Sequence, residues 1–110
     1  MLSGKHRLRK SADILAVLRT GRKFRLKGLK VCIKPSPQQP VSRAACVVGK
    51  TVSPLSVRRH RYQRWLRVLA REIITSQPDV VDIVMVAQAG IEDYQDLASL
   101  RQTLTKTLSL

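Results

Sequence analysis

The segment that most constrains the fold of this chain is VVDIVMVAQAG, residues 80–90. Its residues are almost all apolar and many are β-branched, whereas a strand with one solvated face alternates between apolar and polar residues. A continuous apolar run of this kind is typical of a strand that is covered on both faces. We therefore expect it at the centre of a sheet, with other elements packed above and below.

A short amphipathic helix is predicted near the start of the chain. Ser11 has the character of an N-cap, Asp13 falls in the first turn, and apolar residues follow at helical spacing until Thr20-Gly21 ends the segment. This helix is a candidate for covering one face of the sheet.

Two further strands are predicted between this helix and the middle of the chain. Residues 29–34 alternate between apolar and polar, which predicts a strand with one face of each kind, and an additional strand around Lys23-Phe24 is left open. Prolines break the chain across 35–40, and the apolar run at 43–52 predicts the second strand. We expect these two runs to pair antiparallel.

The second half of the chain predicts two helices around the apolar strand. One begins at 53–56 and continues to Ser76, where Gln77-Pro78 stops it. The other opens at Asp93 and places four leucines at 97, 100, 104 and 108 on one stripe. The order α-β-β-α-β-α predicts an α+β sandwich, and 110 residues fit one domain spanning 1–110.

The net charge of the chain indicates which class of partner it binds. It has 21 Lys and Arg against 7 Asp and Glu, a formal net charge of +14, and such self-repulsion favours a polyanion as partner. No apolar run reaches the ~18 residues of a spanning helix, and Asp13 and Arg19 interrupt the stretch that a signal peptide needs. We expect a cytosolic protein that binds nucleic acid and no membrane.

The two cysteines, Cys32 and Cys46, do not predict a metal site. Even with His6 and His60 their spacing fits no zinc-finger pattern. In a reducing cytosol they are expected to be buried or half-buried free thiols.

The central helix contains the stretch SVRRHRYQRWLR, residues 56–67. At about 100° per residue its apolar residues gather on one side, and His60, Arg64, Arg67 and Arg71 lie on the other. We expect the apolar side, which includes Trp65, to face the core. The basic side has no acid before residue 72, although a solvated face usually mixes both signs, so it predicts a polyanion-binding face.

Arginine is the informative residue type on this helix. Its planar guanidinium forms bidentate bonds to phosphate, whereas lysine is a mobile point charge. If about three or four of these arginines each displace a counterion, the log-log salt slope of binding should be near −2 to −4. Such contacts anchor a nucleic-acid backbone but read no sequence.

Four stretches follow one another along nearly the whole chain. Residues 7–11 read RLRKS with Gly21 after them, 49–52 read GKTV, 59–67 read RHRYQRWLR and 82–88 read DIVMVAQ. In this order they resemble the bacterial protein subunit of ribonuclease P. That family enters its first helix with an RLRKS-type stretch and ends it with a glycine. It then has Ser-Lys-Lys-Val, an Arg-Asn-Arg run followed by Lys-Arg and Leu-Arg, and a DIVVIAR-like strand.

The resemblance implies both a fold and a function. The fold is a four-stranded sheet with a left-handed β-α-β crossover, as in ribosomal protein S5 domain 2, against the usual right-handed rule. The function is that of the non-catalytic protein component of an endoribonuclease: it binds the catalytic RNA and precursor tRNA and assists removal of the 5′ leader. One protein would act as a monomer with one RNA, and Mg²⁺ would belong to the ribonucleoprotein, with no cofactor bound by the protein itself.

The resemblance and the basic helix together give the expected site residues, none of them catalytic. Those expected to bind the catalytic RNA are Lys50, Arg58, Arg59, His60, Arg61, Arg64, Arg67 and Arg71. The family also binds the leader in a cleft between the first helix and the sheet. The matching residues are Arg7, Arg9, Lys10, Ile14, Leu18, Lys30, Cys32 and Lys34. At 14, 18 and 32 the family has aromatic side chains, and the residues here do not stack on bases as a ring does.

Other functions share some of these features. A ribosomal or other structural RNA-binding protein would have the same charge and basic helix, but not the ordered RLRKS and RHR signatures. A helix-turn-helix DNA regulator is mostly helical, whereas three strand-like runs appear here. A membrane-surface helix would need the apolar face that the core requires.

Overall fold

A computed structural model describes residues 4–49, 52 and 55–108. Its centre is a four-stranded mixed sheet with the order β1-β2-β4-β3. β2 pairs antiparallel with both β1 and β4, and β3 pairs parallel with β4. The strands are β1 (Arg22–Leu26), β2 (Leu29–Pro35), β3 (Arg43–Val47) and β4 (Val81–Ala87).

Helices cover both faces of this sheet. One core cluster joins α2 and α3 to one face, and a second, smaller cluster joins α1 to the opposite face. The predicted sandwich is therefore confirmed, with helices on both sides. Within the part of the chain described, no helix is both long and apolar enough to cross a membrane. The helices are α1 (Ser11–Thr20), α2 (Ser56–Ser76) and α3 (Leu97–Leu108), with 3₁₀ turns at Gly4–His6 and Ile91–Asp93.

The predicted central strand is confirmed, since β4 lies between β2 and β3 and all but one of its residues are buried. The predicted antiparallel pairing of the two preceding strands is wrong, because β4 is inserted between them. The connecting loop fixes this arrangement: the Ser36 backbone N–H donates to the Val80 carbonyl at 2.9 Å, and the Ser42 hydroxyl accepts from the Val81 N–H at 3.0 Å. The loop thus crosses the start of β4 and delivers β3 to its far side.

Several element boundaries differ from the sequence predictions, and β3 ends at Val47, five residues before the end of the predicted strand. Ser11 is the first helical residue of α1 instead of its N-cap, and no side-chain cap closes that end. The strand left open before β2 is present as β1. Asp93 does not open α3, because it ends a 3₁₀ turn and pairs with Lys27 at 2.8 Å. The helix begins four residues later, where the Ser99 N–H donates to the Asp96 carboxylate at 2.9 Å.

A largely buried ion pair joins β3 to β4 beside α1. Arg43 on β3 donates from Nε to Oδ1 of Asp82 on β4 at 3.0 Å, and from Nη2 to Oδ2 at 2.8 Å. The Ser36 hydroxyl donates to Oδ2 at 2.9 Å, and the other guanidinium nitrogen lies 3.6 Å from the Asp13 carboxylate on α1. The Asp82 hydrogen bond raises the pKa of Arg43. The Asp82 contacts thus tie β3 to β4, and the longer Asp13 contact reaches α1.

Candidate nucleic-acid interface

The two faces predicted for α2 are confirmed. Its inner face is buried against the sheet at Tyr62, Leu66, Leu69, Ala70 and Ile73. Trp65 is half-buried against the same core and meets the Tyr62 ring edge-on, with ring centroids 5.5 Å apart. The aromatic side chains of this helix therefore hold it to the sheet.

The outer face of α2 forms a stripe of polar and basic side chains, here called the α2 stripe: His60, Gln63, Arg64, Arg67 and Arg71. The first four line one shallow cavity of about 160 Å³, and Arg71 is exposed one turn further along the helix. Within the described residues, the three arginines form no ion pair with an acid. Their guanidinium groups are therefore available to an external anion.

The remaining predicted residues of this helix lie elsewhere on its first turns. Arg58 and Arg61 are exposed and Arg59 is half-buried. None of the three lines the α2 stripe cavity, although Arg59 is one turn from Gln63 and Arg61 is one turn from Arg64. Lys50 lies outside the described residues.

On the opposite side of the sheet, α1 crosses the strands close to one end. Asp13 at its start lies near Arg43, and the Gly21 backbone at its end packs on the Ile33 carbonyl. Its apolar residues pack against Cys32, which is fully buried. The prediction that Cys32 contacts a leader is therefore wrong, because α1 covers it. Ile14 and Leu18 are half-buried in the same cluster.

The other end of this sheet face is not covered by α1. The strand register places Arg25, Lys30, Val86 and Val47 side by side across the four strands. Arg25 is exposed, Lys30 and Val86 are half-buried, and Val47 is 42% exposed. This row forms a floor with cationic residues on β1 and β2 and apolar residues on β4 and β3.

At the β3 end the row opens into a cavity of about 310 Å³. The entering chain lies beside β3, where the Leu8 N–H donates to the Ala44 carbonyl at 2.8 Å. We call the row and this cavity together the sheet groove. The cavity is lined by Arg7, Leu8, Arg9, Ile14, Ala44, Ala45, Cys46, Val47 and Arg67. Of the predicted leader residues, Arg7, Arg9, Ile14 and Lys30 thus belong to the groove, whereas Lys10 precedes α1 and Lys34 lies at the end of β2 beside Asp82.

Cys46 lies on β3 with its side chain packed on the core beneath α2, next to its register partner Met85. Burial raises its pKa from 9.0 to about 11, and the positive charge of Arg67 acts in the opposite direction. Cys46 is therefore a neutral thiol between β3 and α2 at neutral pH. Both cysteines are free, as predicted, one buried and one half-buried.

Sequence reasoning missed Arg25, Val47 and Val86 as groove residues. They lie on three different strands, and only the register of those strands brings them into one row. Strand alternation gave the face of Lys30, but it did not identify the neighbours of that residue, since the strand order was predicted wrongly. The signal that could have found them is the apolar run of β4. A central strand has a neighbour on each side, so β4 could have been placed between β2 and β3.

The fold and the two surfaces define a class: a small, basic α+β protein that presents arginines to a polyanion. The family model for ribonuclease P matches residues 2–109. The ribonuclease P protein component of Pseudanabaena sp. is 32% identical over 109 residues, which cover 96% of this chain and 94% of the relative. That of Thermobifida fusca is 38% identical over 107 residues, with 90% and 73% covered. The chain belongs to the ribonuclease P protein family, which supplies the protein subunit for tRNA 5′ processing.

Solved structures show the same fold. The ribonuclease P protein of Staphylococcus aureus superposes with a TM-score of 0.80 at 19% identity, covering 94% of this chain and 93% of that one. The protein from Thermotoga maritima gives a TM-score of 0.76 at 23% identity, with 91% and 94% covered. The predicted α+β class and four-stranded sheet are confirmed. As a member of this family, the chain is a partner of the ribonuclease P RNA.

Proposed function

We propose that this chain holds the catalytic RNA of ribonuclease P on its α2 stripe and the 5′ leader of precursor tRNA in its sheet groove, while the RNA carries out phosphodiester hydrolysis. The observation that carries this proposal is the α2 stripe, where Arg64, Arg67 and Arg71 form no ion pair with an acid within the described residues. Arginines in such positions replace counterions on a phosphate backbone.

The shape of α2 supports the assignment of the stripe to a structured RNA. The helix is 21 residues long and rigidly seated by a continuous apolar face. Its arginines therefore keep a fixed spacing of one turn, about 5.4 Å, which suits repeated phosphates more than a flexible cluster would. Binding of this kind depends on the position of the phosphates and not on base identity.

The sheet groove supports a contact with a single strand. Its cationic residues stand at both ends, Arg25 and Lys30 on one side and Arg7 and Arg9 on the other, with an aliphatic floor between them. Phosphates of a single strand can meet the ends while its bases lie over the floor. Because the floor offers no aromatic ring among the described residues, we expect weak stacking and little discrimination among leader sequences.

The side chains of both surfaces support a non-catalytic role for the protein. Guanidinium groups stay protonated at any physiological pH and do not act as general bases. Magnesium prefers carboxylate, carbonyl and phosphate oxygens, whereas the side chains that line the two cavities include no carboxylate among the described residues. The residues present therefore do not fit Mg²⁺, and we assign the metal to the RNA. The protein screens phosphates and positions the substrate.

The test is reconstitution with a ribonuclease P RNA and a precursor tRNA. We expect the protein to restore leader cleavage at low magnesium and to give no cleavage alone. A folded protein that fails to stimulate the RNA at every magnesium concentration would falsify the proposal. A mixture with fixed RNA and increasing protein gives the stoichiometry, which we propose to be one to one with the protein monomeric. We also propose a cytoplasmic location, where precursor tRNA is processed.

A variant with both Arg64→Ala and Arg71→Ala tests the α2 stripe. Each arginine removed should flatten the log-log salt slope of RNA binding by about 0.7–0.9, so the double change should flatten it by about 1.5. The melting temperature should hardly move, because both side chains are exposed. Lys106→Ala, a charge removal on α3, is the matched control and should leave the slope unchanged.

A further inference from the structure

Arg67 lines both candidate surfaces. It is one of the four residues around the α2 stripe cavity, and it also lines the cavity at the β3 end of the sheet groove. The helix is fixed to β3 at this point, since the Gln63 side-chain amide donates to the Cys46 carbonyl at 3.3 Å. The two cavities therefore meet along the edge of β3, with Arg67 between them.

The position of Arg67 on the helix explains why it differs from its neighbours. At about 100° per residue Arg64 and Arg71 point away from the sheet, whereas Arg67 is turned toward β3. It is half-buried while those two are exposed. Its charge also acts on the Cys46 thiol, which packs on the core beneath α2 at the β3 edge. The guanidinium is thus held at the boundary instead of extending freely into solvent.

We infer that Arg67 binds phosphates of both RNAs, the catalytic RNA on the α2 stripe and the leader in the sheet groove, and so joins the two surfaces into one continuous track. This inference rests on the proposed function. A guanidinium has five N–H donors in a planar fork, so two phosphates can approach it from opposite edges. Lysine has a compact ammonium without this fork.

The test measures two affinities in each variant. The first is the affinity of the protein for the catalytic RNA. The second is the gain in affinity that a leader gives, measured as precursor tRNA against mature tRNA in holoenzyme assembled with saturating protein, so that weakened assembly does not affect it. Arg71→Ala should lower only the first, Arg9→Ala only the second, and Lys106→Ala neither.

Arg67→Ala should lower both quantities, each by about tenfold, as expected for one charge-assisted hydrogen bond. Arg67→Lys should recover only part of either loss, because it restores the charge without the fork. Melting temperature and Trp65 fluorescence show whether each variant is folded, and Arg67→Gln, which keeps more of the side-chain stem, replaces Arg67→Ala if that variant unfolds.

Loss of only one quantity, or of neither, would overturn the inference while the proposed function stands. A wild-type protein that neither binds the RNA nor stimulates leader cleavage would refute both. The two failures are thus separated by the wild-type measurement alone.

Discussion

Removing the guanidinium of Arg43 should cost more stability than any other single change considered for this chain. Arg43→Ala leaves the Asp82 carboxylate, whose side chain is 7% exposed, with the Ser36 hydroxyl as its remaining side-chain donor among the described residues. Breaking a buried ion pair on one side costs about 3–5 kcal/mol. The Arg43 side chain is itself 19% exposed, so water can enter its place and hydrate the Asp82 carboxylate. We therefore expect a loss of about 3 kcal/mol in the free energy of unfolding, the low end of that range.

This loss is large against the ~5–15 kcal/mol that stabilise a typical domain. Urea unfolding followed by Trp65 fluorescence measures it, since this residue packs on the core. The double variant Arg43→Met with Asp82→Asn removes both charges and should be less destabilised than Arg43→Ala. Asp13→Asn, at 3.6 Å and 39% exposed, should cost less than about 1 kcal/mol. An Arg43→Ala variant that loses less than about 1 kcal/mol would contradict this prediction, because the pair would then behave as an exposed one.

Three further predictions concern single residues. Gly28→Ala should lower the free energy of unfolding by more than about 1 kcal/mol in thermal denaturation, because its φ is +76° and a Cβ would collide with neighbouring backbone; an unchanged melting temperature would contradict this. In a Cys32→Ala background, Cys46 should react with a thiol reagent at pH 8 far more slowly than a free thiol. A pKa of about 11 against 9.0 means about a hundredfold less thiolate. Fast reaction would show that the thiol is not buried. Hydrogen bonds from the backbone N–H and hydroxyl of Ser99 lower the pKa of Asp96, so its stabilising effect is present above the ordinary value of 3.8 and is lost as pH falls through the lower folded value. Asp96→Ala should therefore be less stable than wild type at pH 7 and equal to it in strong acid; a gap that persists in acid would exclude the ionised cap as its cause.

The parts of the fold that could be predicted are those whose signal is local. The apolar run of β4 was enough by itself to predict a strand that is buried on both faces. The helical period of α2 likewise separated Leu66 from Arg64, because a helix fixes the angle between residues close in sequence. Both features appear in the structure as predicted.

The strand order and the sheet groove depend on contacts that are distant in sequence. An apolar run such as β3 can join either edge of a sheet with little change in its own pattern, and the choice was made by hydrogen bonds from the loop at 36–42 to the start of β4. The burial of Cys32 also depends on contacts distant in sequence, since Val17 and its neighbours on α1 pack over it. No periodicity in β2 carries that information.

Among the described residues, the few acidic residues of this chain pair with or cap parts of its own fold and leave the arginines of the α2 stripe unpaired. Six of the seven accept a hydrogen bond or form an ion pair within the described part, and they are Asp13, Glu72, Asp82, Glu92, Asp93 and Asp96. They pair or cap elements of the fold, whereas the α2 stripe and the cationic ends of the sheet groove have no ion pair there. The 7 acidic residues cannot balance the 21 basic ones, so most of the positive charge is not neutralised within the chain. That repulsion opposes folding of the free protein, and a bound RNA relieves it while counterions are released. The same arginines thus make the free chain less stable and the complex more so, which links folding to RNA binding.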